Sequence, residues 1–149
     1  MRSILIGLVL AAGTQVQADN LVGKWDCTGR EDNSDHLRSV QTYQANGRFS
    51  HLANIAIGLP EGRVDASLAL RGRWSLEGGQ LVEEITKVRV RSVSENGQDI
   101  TRTPKGRSFT EFISDSMKRG EDSKMKITFL SPQQFQVIDN GVNGVCTKR

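Results

Sequence analysis

Val64-Asp65-Ala66-Ser67-Leu68-Ala69-Leu70-Arg71-Gly72-Arg73-Trp74-Ser75-Leu76 decides the fold. Val64, Ala66, Leu68, Leu70, Gly72, Trp74 and Leu76 share one parity, while Asp65, Ser67, Arg71, Arg73 and Ser75 share the other. Only Ala69 blurs the division. Alternation held over this length belongs to a strand with one dry face and one wet face, because a helix would smear the same apolar residues around its circumference. At about 3.3 Å per residue the strand spans about 40 Å, the length of a tilted barrel stave. Gly72 interrupts its apolar face and marks either a bend at a barrel corner or the close approach of another backbone.

Upstream, Gly58-Leu59-Pro60-Glu61-Gly62 reads as a turn, and Arg48 to Ile57 as a strand with Phe49 and His51 on one face and Leu52 and Asn54 on the other. Asn46-Gly47 predicts a two-residue hairpin turn with positive φ at both positions. Before it lies a strand from Arg38 to Ala45 around Val40 and Tyr43, then a polar loop from Arg30 to His36. A first strand from Leu21 to Thr28 points Trp25 and Cys27 the same way.

Downstream, Glu77-Gly78-Gly79-Gln80 predicts a tight connection to a strand from Leu81 to about Arg91. Setting Leu76 opposite Leu81 places Arg73 opposite Glu84, a cross-strand ion pair. Strict continuation would turn Glu83, Lys87 and Arg89 inward. A bulge near Thr86 would instead bring in Val88 and Val90 and release Lys87, Arg89 and Arg91 to water, and unpaired buried charge is costly enough to prefer it. Without the bulge, a cationic lumen would suit an acidic ligand.

Ser92 to Arg107 reads as the longest irregular segment. The period then changes: Ser108 and Glu111 form a capping-box pattern, and Phe109, Phe112, Ile113 and Met117 lie at helical spacing, predicting a short amphipathic helix over about 108–119 packed on the sheet. Met125, Ile127 and Phe129 return to alternation. Ser131-Pro132 breaks that strand, Phe135 and Val137 lie on the next, and Asn140-Gly141 turns into a last strand holding Cys146. The fold class is therefore all-β, an antiparallel up-and-down barrel of about eight strands with one short helix.

The ends carry their own information. Arg2, the apolar run Ile4 to Ala12 and Val16-Gln17-Ala18 make residues 1–18 a secretory signal, leaving residues 19–149 as one exported barrel domain, periplasmic or secreted. Thr14 stands where a lipoprotein would carry cysteine, so no lipid or membrane anchor is expected. Cys27 and Cys146 are the two cysteines of the chain. In an oxidising compartment they should pair, which sets the first and last strands side by side. A net charge of +3 with the cations dispersed among acids gives no reason to expect nucleic acid.

Gly23-Lys24-Trp25 and Gly72-Arg73-Trp74 share a Gly-x-Trp form. Together with Tyr43-Gln44-Ala45-Asn46-Gly47-Arg48-Phe49 and the run from Gly72 to Leu81, they resemble small exported bacterial lipocalin-like, or calycin-like, proteins. The resemblance covers Leu21 to about Glu84 and the closing strand. It implies that Trp25 packs across one end of the barrel and that Trp74 packs in the core. The helix precedes the last strands instead of following the barrel, unlike the larger lipocalins.

Little in the chain points to catalysis. His36 and His51 read as surface or rim residues, Glu83 and Glu84 face opposite sides of their strand, and both cysteines are committed to the bridge. No metal-ligand spacing or phosphate-cradling loop occurs, and no cofactor is expected. The expected function is binding, not enzymatic: a small apolar or amphipathic ligand held in or at the mouth of the barrel by Phe49, Leu68, Leu70, Trp74, Ile85, Met125, Phe129 and Phe135. An alternative is an interaction module, an inhibitor or immunity protein docking an envelope protein through Arg102, Lys105 and Arg107.

Overall fold

Alternating apolar positions along the strands close into a single wall. The computed structural model describes residues 12–30, 36–118, 123–139 and 142–149. Most of the expected leader lies outside these residues, as do the Asn140-Gly141 turn and much of the Arg30 to His36 segment. Helix α1 (Ala12–Leu21) leads into β1 (Gly23–Arg30), β2 (His36–Tyr43), β3 (Arg48–Leu59), β4 (Gly62–Glu77), β5 (Gln80–Glu95) and the two-residue β6 (Gln98–Asp99). Helix α2 (Pro104–Lys118), β7 (Ser123–Ser131), β8 (Gln134–Asp139) and β9 (Val142–Lys148) complete the order. β1 lies between β2 and β9, and β5 pairs with both β4 and β7, so eight antiparallel strands form a closed barrel from which only β6 stands aside.

The long hairpin of β4 and β5 carries the register. Leu76 stands opposite Leu81, with Gly78 and Gly79 both at positive φ between the strands. Arg71 pairs with Lys87 but Gly72 with Ile85, so Thr86 is the extra residue and the expected bulge is present. A second bulge, at Arg91, lies between the Ser67–Ser92 and Leu68–Val90 pairs and returns Val93 to the interior. Lys87, Arg89 and Arg91 are accordingly exposed, and the lumen is not cationic. Arg73 faces Glu84 in register, yet the two form no ion pair. A Cβ on Gly72 would stand 1.9 Å from the Glu84 carbonyl oxygen, which is the close backbone approach that excludes any side chain there.

Cys27 and Cys146 are bonded to each other across paired residues of β1 and β9, with a Cα–Cα distance of 4.0 Å. Such a bond persists in oxidising, non-cytoplasmic compartments. At this seam Arg149 donates to Asp26 at 2.7 Å and its backbone N–H donates to the Lys24 carbonyl. Trp25 is fully buried. Its Nε1 donates to the Leu21 carbonyl at 2.8 Å, and its ring meets Phe135 edge-on at 4.7 Å, with Lys148 Nζ 5.3 Å from the ring centre.

Three local expectations need correction. Asn46-Gly47 is not a two-residue turn with positive φ at both positions: only Gly47 takes positive φ, the Gly47 N–H donates to the Gln44 carbonyl, and Asn46 Oδ1 accepts from the Arg48 N–H. The same dipeptide at Asn96-Gly97 does take positive φ at both residues. The segment from Ser92 is not irregular, because β5 continues to Glu95. Helix α2 starts at Pro104, not near Ser108. Thr103 is its N-cap, accepting from the Gly106 N–H at 3.1 Å, and proline at the first helical position forfeits no helical hydrogen bond. Ser108 donates to the Pro104 carbonyl instead, as a mid-helix serine does. Ile113 is buried with Phe109 and Met117 against the interior residues of β4 and β5, whereas Phe112 is 65% exposed.

Candidate functional site

Inward-facing residues of β1, β2, β7, β8 and β9 leave space between them. Register fixes which residues these are: Trp25 and Cys27 face the lumen, and their partners are Gln41 and Ser39. The inner face of β2 is thus Leu37, Ser39, Gln41 and Tyr43, while Val40 faces outward opposite Leu52 of β3. A strand centred on Val40 and Tyr43 cannot bury both, and the neighbouring disulfide strand selects the polar parity. The result is a cavity of about 250 Å³ lined by Leu37, Leu81, Met125, Val137 and the Cys27–Cys146 bridge on its apolar side, and by Ser39, Gln41 and Tyr43 on its polar side. Gly29, Asp139 and Gly144 border it towards the end of the barrel.

Behind the polar side runs a buried hydrogen-bonded cluster. Tyr43 Oη lies 2.8 Å from Gln41 Oε1 and 2.7 Å from Glu83 Oε1, and His51 Nε2 lies 2.9 Å from the same Glu83 oxygen. Gln41 Nε2 is 3.1 Å from Ser39 Oγ. The phenol has one proton for two acceptors, so one contact must be supplied from the other side. Turning the Gln41 amide over does this: Ser39 donates to Gln41, Gln41 to Tyr43, and Tyr43 to Glu83, which also accepts from His51. Burial, reinforced by the Glu83 charge and hydrogen bond, holds the Tyr43 phenol well above its ordinary pKa. It stays neutral and acts as a donor.

His51 is the clearest departure from expectation. It is 5% exposed, stacks on Phe49 at 4.5 Å and meets Tyr43 edge-on at 5.4 Å, so it is an interior residue and not a rim one. Among the described residues its Nδ1 is buried without a hydrogen-bond partner. Glu83 is buried alongside it, facing inward as Leu81 does. Parity alone placed Phe49 and His51 together; what it could not supply was the carboxylate across the lumen that makes a buried histidine tolerable.

Of the residues expected to line a ligand site, Met125 borders the cavity. Phe49, Leu70 and Phe135 are buried in the same core cluster, with Trp74, Ile85 and Phe129 half-buried against it. Trp74 Nε1 donates to the Gln44 carbonyl at 3.0 Å, and its ring packs edge-on against Tyr43 at 5.6 Å. Leu68 belongs to the second cluster, under α2. Ser39, Gln41, Tyr43, Glu83 and His51 were not among the expected site residues. In the other proposed interface, Lys105 is paired with Glu95 and Arg107 donates to the Arg102 carbonyl at 2.7 Å, which orders the start of α2. Among the described residues no cluster of three metal-ligating side chains occurs, and no helix is long and apolar enough to cross a membrane.

No protein-family model matches the chain, and no curated protein does. Among solved structures it is similar to EF1p2_mFAP2b bound to DFHBI, at 14% identity over 89% of this chain and 96% of that one, with a TM-score of 0.43. It is also similar to a redesigned beta barrel, mFAP1, bound to DFHBI, at 14% identity over 89% and 97%, with a TM-score of 0.41.

Proposed function

We propose that the protein is an exported, periplasmic or secreted, binding protein that holds a small amphipathic molecule in the barrel lumen, in keeping with the calycin-like motifs it resembles. The observation that carries this reading is the cavity of about 250 Å³ whose polar wall, Ser39, Gln41 and Tyr43, is already ordered by a hydrogen-bonded cluster. Preorganised polar groups beside apolar walls are the usual anatomy of a small-molecule site. Size narrows the ligand class. A cavity of about 150 Å³ holds benzene, so this one suits a substituted single ring or a short-chain amphiphile, not a long acyl chain. The apolar part lies on Leu37, Leu81, Met125 and Val137, and the polar group meets Gln41 and Tyr43.

Binding is favoured over catalysis because Tyr43, the titratable member of the cluster that borders the cavity, is a neutral donor, while His51 does not line the cavity and its Nδ1 is buried. The loop reading has less to work with, since Lys105 is occupied by Glu95. Titration with short-chain carboxylic acids, alkanols and phenols, followed by isothermal calorimetry, tests the proposal. Leu37→Trp should abolish the response by filling the cavity, and Gln41→Leu should weaken it about tenfold through loss of one hydrogen bond. A response unchanged by Leu37→Trp, or none across the panel, would end it.

A further inference from the structure

The outer wall of β3, β4 and β5 is strongly cationic, and its register puts like charges together. Arg48 stands directly opposite Arg73, and Arg71 directly opposite Lys87. Arg89 and Arg91 continue along β5, so six exposed cations cover three adjacent strands over about 20 Å. Among the described residues Glu84 is the one carboxylate facing out between them, opposite Arg73, and none of the six cations forms an ion pair. Directly opposed like charges destabilise a sheet, and the single carboxylate of Glu84 offsets only part of six cations. Both bulges contribute to the arrangement: the one at Thr86 turns Lys87 and Arg89 outward, and the one at Arg91 leaves that arginine outside the ladder. Beside the first bulge is a notch of about 580 Å³ lined by Arg48, Arg71, Arg73, Gln44, Ser50 and Thr86, with Gly72 and the buried Phe49 at its floor.

We propose that this wall binds an extended acidic polysaccharide, one anionic group seated in the notch and the chain continuing past Lys87, Arg89 and Arg91. Guanidinium forks suit sulfate and carboxylate oxygens, and cations two residues apart on a strand repeat at about 7 Å along it. The stripe exposes no aromatic ring on which a nucleobase could stack, and Leu52 is the one exposed large apolar side chain beside it among the described residues, which offers a bilayer little to anchor. The notch shares no lining residue with the lumen cavity, so the two sites stand or fall separately.

The test uses the full oxidised chain with heparin and polygalacturonate as probes, alongside phosphatidylglycerol vesicles and single-stranded DNA. Binding to the polysaccharides should weaken steeply with salt, and Arg71→Glu with Arg73→Glu should lower affinity about tenfold or more. The charge-matched pair Arg102→Glu with Arg107→Glu should leave it within about twofold. Lys87→Glu with Arg89→Glu, altering only outward side chains, carries the test if the first pair fails to fold. Equal losses in both sets would reduce the effect to net charge and overturn the site, as would no loss in either. Tighter binding to vesicles or DNA than to both polysaccharides, lost in the notch variant, would overturn the assignment of the partner.

Discussion

Tyr43 is the only tyrosine in the chain, and it joins the cavity to the buried cluster. Its folded pKa is raised well above 10.0, chiefly by burial and then by Glu83. Between the ordinary and the raised value the folded protein keeps a proton that the unfolded chain releases, so this contribution to stability is complete below about pH 10 and falls as pH rises further. Phenolate absorbance should therefore appear together with loss of the native circular dichroism signal, not before it. A phenolate spectrum in the folded protein would contradict the cluster. Gly72 illustrates the opposite kind of residue, one required for what it lacks: only a hydrogen fits against the Glu84 carbonyl.

Among the elements, α2 shows how a local signal can be matched in the wrong place. Ser108 and Glu111 have the spacing of a capping box, but Thr103-Pro104 supplies both an N-cap and a preferred first residue, and the chain leaves β6 early enough to use them. Thr103→Ala should destabilise the protein by about 1 kcal/mol, with Thr103→Ser recovering most of the loss, while Ser108→Ala should be close to neutral. Urea unfolding of the three variants distinguishes the two start positions. In β5 the outcome was more readable, because two cations at inward positions are hard to bury and a bulge is the cheapest local remedy. The second bulge, at Arg91, had no comparable signal. One arginine near a strand end can reach water from either face.

At the scale of the molecule, the Cys27–Cys146 bond closes a loop of 119 residues and joins the two strands that complete the barrel. The chain-entropy estimate for so long a loop is about 4 to 5 kcal/mol. Replacing both cysteines with serine should lower unfolding stability by a comparable amount while preserving strand content, measured by denaturant titration of the double variant against the oxidised parent.

Several features of this protein were decided within its own sequence: the staves, the tight Gly78-Gly79 hairpin, the Thr86 bulge and the cysteine closure. The first three depend on a period of two, a turn residue or a charge that must avoid the interior, which are properties of one strand or one hairpin. The closure follows from the chain having two cysteines and no other partner for either. The polar lumen was decided only by the fold. Tyr43 and Glu83 are 40 residues apart, and His51 and Glu83 are 32 apart. Whether they meet depends on register summed around a closed sheet, and a single strand cannot state which of its two faces the neighbours will require.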